Sequence, residues 1–60
     1  MFRINEVLEF GDQRYRVLQP LGEYLVWINI DDGSAFPEIA SESDLSEAIE
    51  QERLDRIEDP

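Results

Sequence analysis

EYLVWINIDD, residues Glu23 to Asp32, is the most apolar run of the chain and holds its single tryptophan. As an extended strand it points its side chains alternately to two sides. Val26, Ile28 and Ile30 fall on one side; Leu25, Trp27 and Asn29 fall on the other. The three branched aliphatics mark the expected inner face. Trp27 is then placed off the strand-to-strand core, where it serves a second contact surface.

Working outward, EVLEF (Glu6–Phe10) reads as a short strand. Gly11–Asp12 follows, with glycine where a two-residue type II′ hairpin turn needs it. QRYRVL (Gln13–Leu18) is the return strand, with Tyr15 and Val17 on one face and Arg14, Arg16 and Leu18 on the other. QPLG (Gln19–Gly22) reads as a type I turn leading into the opening strand. Asp31–Ser34 closes that strand with a further turn. PEIAS then reads as a short edge strand with Pro37 at its start, where a missing N–H is harmless. SESDLSEAIEQE reads as a short helix capped by Ser43, or by Ser41. Its Leu45, Ala48 and Ile49 make one narrow apolar stripe that must dock on the sheet. Arg53–Ile57 is a candidate last strand, and Pro60 stops any regular element.

The expected core is Val7 or Leu8, Phe10, Tyr15, Val17, Val26, Ile28, Ile30, Ile39, Leu45, Ile49 and Leu54. The pattern predicts an α+β, mainly β fold: a small SH3-like barrel or a curled antiparallel meander with one short C-terminal helix. Residues 1–60 make a single domain of marginal stability, because so short a chain buries only about 60% of its unfolded surface.

There is no cysteine and no histidine. Disulfides, thiolate metal sites, the usual general base and the usual neutral-pH switch are therefore excluded. No apolar run approaches the roughly 20 residues of a membrane span, and MFRINEVLEF lacks a signal-peptide core. Cytoplasmic residence is the default expectation. The formal charge is -10. Residues 1–30 hold four acids and three arginines; residues 31–60 hold eleven acids and two arginines. Such a chain does not attract a phosphate backbone through its overall field.

The acids make no catalytic or metal pattern. Asp31 and Asp32 are adjacent and Gly33 follows too soon for a calcium loop. Asp44, Glu47 and Glu50 share helical spacing but fit a solvated helix face. Ser34, Ser41, Ser43 and Ser46 have no histidine or lysine to activate them. No Gly-rich loop leads into a helix to cradle phosphate. The chain is not expected to be an enzyme, to take a small-molecule substrate or to hold a cofactor.

Binding is left. With Val26, Ile28 and Ile30 inside, the outer face carries Trp27 and Asn29 beside Arg14 and Arg16, with Arg3 near their ends. This is the one patch of positive charge in an acidic chain, able to meet a phosphate with a sugar or base. In the alternative, Trp27 packs under the helix or against another domain and the arginines pair with Glu9 and Glu23.

MFRINEVLEFGDQRYRVL, then VWINI, then LSEAIEQERLDRIEDP resembles the extreme N-terminus of TnsB-type transposases, DDE-type subunits of heteromeric bacterial transposons. The order and spacing of Ile-Asn-Glu-Val, the Tyr-Arg strand, the Val-Trp pair and Arg-Leu-x-Arg before Asp-Pro carry the resemblance, which covers nearly the whole chain. It implies a fragment of a larger protein, continuing into helix-turn-helix modules and an RNase H-like core that uses three carboxylates and magnesium. No acid of this chain maps onto those carboxylates. It also implies a non-catalytic accessory domain with transposon-end DNA or other transposase subunits as partners. The competing expectation is a free-standing acidic module or DNA mimic that docks on a basic protein through Asp44, Glu47 and Glu50.

Overall fold

A computed structural model describes residues 2–58. The expectation that Pro60 ends the last element lies outside the described residues. The chain order is β1 (Val7–Phe10), β2 (Gln13–Leu21), β3 (Tyr24–Asn29), β4 (Glu38–Ser41), α1 (Glu42–Glu50) and β5 (Leu54–Glu58). All five strands form one antiparallel sheet in the order β4-β3-β2-β1-β5. The sheet is an open, SH3-like one: β4 and β5 are its two edges and do not pair with each other. Helix α1 connects these edges and packs against both, closing one side of the sheet as a lid.

Glycine sets both tight hairpins. Gly11 (φ 63°) and Gly22 (φ 63°) each occupy the first place of a two-residue turn, flanked by the pairs Phe10–Gln13 and Leu21–Tyr24. That backbone belongs to type II′ and suits glycine. The second turn is therefore Gly22–Glu23, and the expected type I turn over Gln19–Gly22 does not form. Pro20 instead continues β2 opposite Leu25, beyond the last pair that β1 makes with β2. There β2 is locally an edge, and a missing N–H leaves no ladder bond unmade.

The core lies between the sheet and α1. Phe2, Leu8, Val17, Leu25, Leu45, Ala48 and Leu54 are buried together, and Trp27, Ala40 and Ile49 pack against them. Register explains the grouping, since cross-strand partners share a face. Leu8 faces Tyr15, Val17 faces Trp27, Leu25 faces Ala40 and Phe10 faces Leu54. The expected inner row of β3 is thereby corrected. Val26, Ile28 and Ile30 are half-buried on the far face, where Arg16 opposes Ile28 and Ile39 opposes Val26. Ile39 is 70% exposed and Phe10 44%, so neither is the core residue expected. A β-bulge at Leu18 produces this exchange of faces, because Val17 pairs with Trp27 and Gln19 with Val26.

Local chemistry fixes both ends of the helix. Ser41, not Ser43, is the N-cap, its hydroxyl accepting from the Asp44 N–H at 3.5 Å. At the other end Glu52 takes a left-handed φ of 60°, and the N–H groups of Glu52 and Arg53 donate to the carbonyls of Ile49 and Ala48. This is a Schellman ending with glutamate where glycine is usual. At the N-terminus, Asn5 (φ 71°) completes a turn from Arg3 to Glu6. That turn tucks Phe2 into the core and buries Glu6, which is 1% exposed. One Glu6 carboxylate oxygen accepts from the Arg3 backbone N–H at 3.0 Å, and the other lies 3.4 Å from Arg56 Nη1. Arg56 itself lies 4.6 Å from the centre of the Phe2 ring.

Candidate functional site

The residues expected to form one outer patch are divided between the two faces of the sheet. Trp27 and Asn29 lie on the helix-covered face; Arg14 and Arg16 lie on the other. The expected side-by-side arrangement of indole and guanidiniums is thus corrected. Its cause is the bulge at Leu18, which preserves the facing of β2 and reverses that of β3. Trp27 instead packs under the helix, as the alternative reading had it.

Arg14, Arg16 and Asn29 have identifiable tasks inside the fold. The Arg14 guanidinium grips Asp31, with Nη2 at 2.8 Å and Nε at 3.1 Å from Oδ1. The Arg14 backbone N–H donates to Asp31 Oδ2 at 2.7 Å. Asn29 donates to Gln13 Oε1 at 2.7 Å and accepts from the Asp31 N–H at 2.8 Å. Together they pin the loop after β3 onto β2. Arg14 holds the Asp31 carboxyl below its ordinary range, chiefly through the side-chain hydrogen bond. Arg16 Nη1 donates to the Asn5 carbonyl at 3.2 Å, bracing the N-terminal turn. Arg3 is exposed within that turn.

A different site takes shape on the helix side. The rings of Tyr15 and Trp27 stack at 4.3 Å between centroids and 21° between planes. Tyr15 opposes Asn29 and Trp27 opposes Val17 across β2 and β3, so the two rings are diagonal neighbours on one face. They floor a groove of about 270 Å³ whose walls are Phe10, Leu45 and Ala48, with Asp44 and Arg53 at its rim. Beyond Tyr15 lies a second depression of about 180 Å³, bounded by Asn29, Asp32, Ala35, Phe36 and Glu38. Tyr15 is common to both, so they form one track across the sheet face.

The chemistry of the track is aromatic and acidic. Phe36 is 83% exposed. Asp32 accepts from the backbone N–H and hydroxyl of Ser34 at 3.0 and 2.8 Å, and these bonds, the backbone one first, lower its pKa. Of the helix acids Asp44, Glu47 and Glu50, only Asp44 lines the groove. Sequence reasoning singled out Trp27 but missed Phe36 and the role of Tyr15, whose alternation with Val17 marked it only as core. Among the described residues no group of three or more acidic side chains is placed to hold a metal ion. No helix of the described residues is long and apolar enough to cross a membrane.

An open five-stranded sheet under a single helix, with an aromatic track on its surface, defines a small β-rich module of the SH3-like kind. The family model for the TnsB N-terminal SH3-like domain matches residues 1–60, and the chain belongs to that family. The resemblance drawn from the sequence is thereby borne out. No curated protein matches the chain.

Proposed function

We propose that this chain is a non-catalytic accessory domain of a TnsB-type transposase, and that it assists transpososome assembly by docking another transposase subunit on the Tyr15–Trp27 track. The observation that carries this reading is the stacked, half-buried aromatic pair lining a groove with carboxylates at its rim. Arginine use supports protein docking over reading of transposon-end DNA. Arg14 is engaged by Asp31, Arg16 by the Asn5 carbonyl and Arg56 by Glu6 and Phe2. A phosphate contact by any of them has to compete with a bond inside the fold, against a net charge of -10. In this reading the chain is one part of a larger transposase. End recognition and magnesium-dependent strand transfer belong to other parts of that protein.

The test removes residues 1–60 from the full-length transposase and measures end-duplex affinity, complex assembly and strand transfer separately. The expected result is retained end binding with loss of assembly and strand transfer. Loss of end affinity in proportion to assembly overturns the reading in favour of DNA recognition; unchanged assembly removes the accessory role.

A further inference from the structure

We infer that the track takes a basic, extended segment of a partner protein, with an arginine or lysine side chain laid against the outer ring face of the Tyr15–Trp27 stack. This rests on the protein-docking reading and specifies its partner chemistry. Three carboxylates, Asp32, Glu38 and Asp44, border the track against one guanidinium, Arg53. The Arg53 Nε already donates to Gln51 Oε1 at 2.8 Å. A cation above an aromatic face is attracted by the ring, and its alkyl stem gains from apolar walls. Phe10 and Leu45 supply such walls beside the stacked pair. A long basic side chain therefore matches the floor, the walls and the rim together.

Shape and charge select among other occupants. Tyr15 lines both depressions, so an extended segment can run from one into the other. Phe36, exposed at the far end, offers that segment a second apolar contact. A second copy of this chain brings another -10 charge, and a nucleic-acid strand brings phosphates. Both meet repulsion at the rim.

The chain's sole tryptophan lies in the floor and reports occupancy directly. The 60-residue chain is titrated with a synthetic dodecapeptide of alternating arginine and leucine, and with its glutamate–leucine counterpart. Saturable change in Trp27 emission with the basic peptide only, weakening as salt rises, is the expected result. Asp44→Arg and Glu38→Arg each weaken binding about three- to tenfold, the range for reversing one exposed ion pair. Glu47→Arg makes the same charge change outside the track and retains affinity within about twofold of the original. Two exposed variants on different elements guard against a folding defect in either. No saturable change, equal binding of the acidic peptide, or equal weakening by Glu47→Arg overturns the inference. So does a Trp27 response to duplex DNA. If the peptide fails while removal of residues 1–60 still blocks assembly, the partner chemistry is wrong and the docking reading stands. If that removal leaves assembly intact, the docking reading itself falls.

Discussion

Arg56→Met tests the most sensitive interaction in this small fold. Glu6 is a carboxylate whose side chain is 2% exposed, whereas the side chain of its ion-pair partner Arg56 is 44% exposed. Methionine keeps much of the alkyl stem beside Phe2 but removes the cation. Breaking a fully buried pair from one side costs about 3–5 kcal/mol, because the remaining charge is stranded. Arg56 is partly solvated, and water reaches its place when the guanidinium goes. That lowers the expected loss to about 2–3 kcal/mol. A domain of this length has about 3–9 kcal/mol in total, so the variant forfeits a large fraction. The corresponding fall in Tm is about 10–20 °C.

The opposite truncation is milder. Glu6→Gln keeps an acceptor for the Arg3 N–H and leaves a guanidinium that water can solvate, for a loss of about 1 kcal/mol. The double variant strands no charge and falls near Glu6→Gln alone, giving a coupling of about 2–3 kcal/mol. Urea denaturation followed by Trp27 fluorescence measures all four corners of the cycle. Arg53→Met, with the same charge change at an exposed site, is the control and shifts stability by less than about 0.5 kcal/mol. If Arg56→Met proves no worse than Glu6→Gln, Glu6 is not held by Arg56 and the account of the N-terminal hook is refuted.

Glu52→Gly relieves the left-handed residue at the helix end. A non-glycine residue there costs about 1–2 kcal/mol, and the greater freedom of unfolded glycine offsets about 0.5–1. A net gain of about 0.5–1 kcal/mol, seen as a higher urea midpoint, is expected; a loss contradicts the Schellman assignment. Asp31 gives a pH dependence of defined sign. Its folded pKa is depressed, so its stabilisation is fully present above the ordinary aspartate value and is lost as pH falls through the lower folded value. Asp31→Asn flattens part of the acid limb of the stability curve below pH 3.8, leaving the contribution of Asp32 in place. An unchanged limb in urea midpoints taken from neutral pH downward removes Arg14–Asp31 as a loop anchor.

Element positions were legible because short-range chemistry fixes them. Gly11 demands its turn, Leu45, Ala48 and Ile49 repeat at helical spacing, and Leu54 opens a strand after the helix. The packing of Phe2 was not legible, since it depends on the turn at Asn5 and the burial of Glu6, two long-range outcomes. The track was only partly legible. Trp27 stood out as misplaced against Val26, Ile28 and Ile30, but register alone brings Tyr15 onto it, and the loop path alone brings the exposed Phe36 to the depression beside Tyr15.

The facing of β3 shows where sequence pattern stops deciding. A regular hairpin around Gly22–Glu23 pairs Leu21 with Tyr24, Gln19 with Val26 and, without interruption, Val17 with Ile28. That register puts the branched row of β3 inside with Tyr15 and Val17, as alternation suggested. The structure follows it as far as Gln19, then pairs Val17 with Trp27, so Leu18 is the extra residue. Because side chains alternate with period two, one inserted residue exchanges the faces of everything beyond it. No glycine or proline at Leu18 announces the bulge. It is selected because it places Leu25 and Trp27 against Leu45 and Ala48 while leaving Val17 inside. Deleting Leu18 should therefore give a regular hairpin with the same core pairs, Val17 opposite Trp27 and Tyr15 opposite Asn29. Leu18 is 36% exposed, so the lost burial is small and the variant should unfold cooperatively with about 1–2 kcal/mol less stability. Deleting Arg16 instead gives a regular hairpin only by turning Val17 outward and placing Leu18 in its core position opposite Trp27, and should cost more stability than deleting Leu18. A folded Arg16 deletion beside an unfolded Leu18 deletion reverses the assignment of the extra residue, and with it the explanation of why the indole faces the helix.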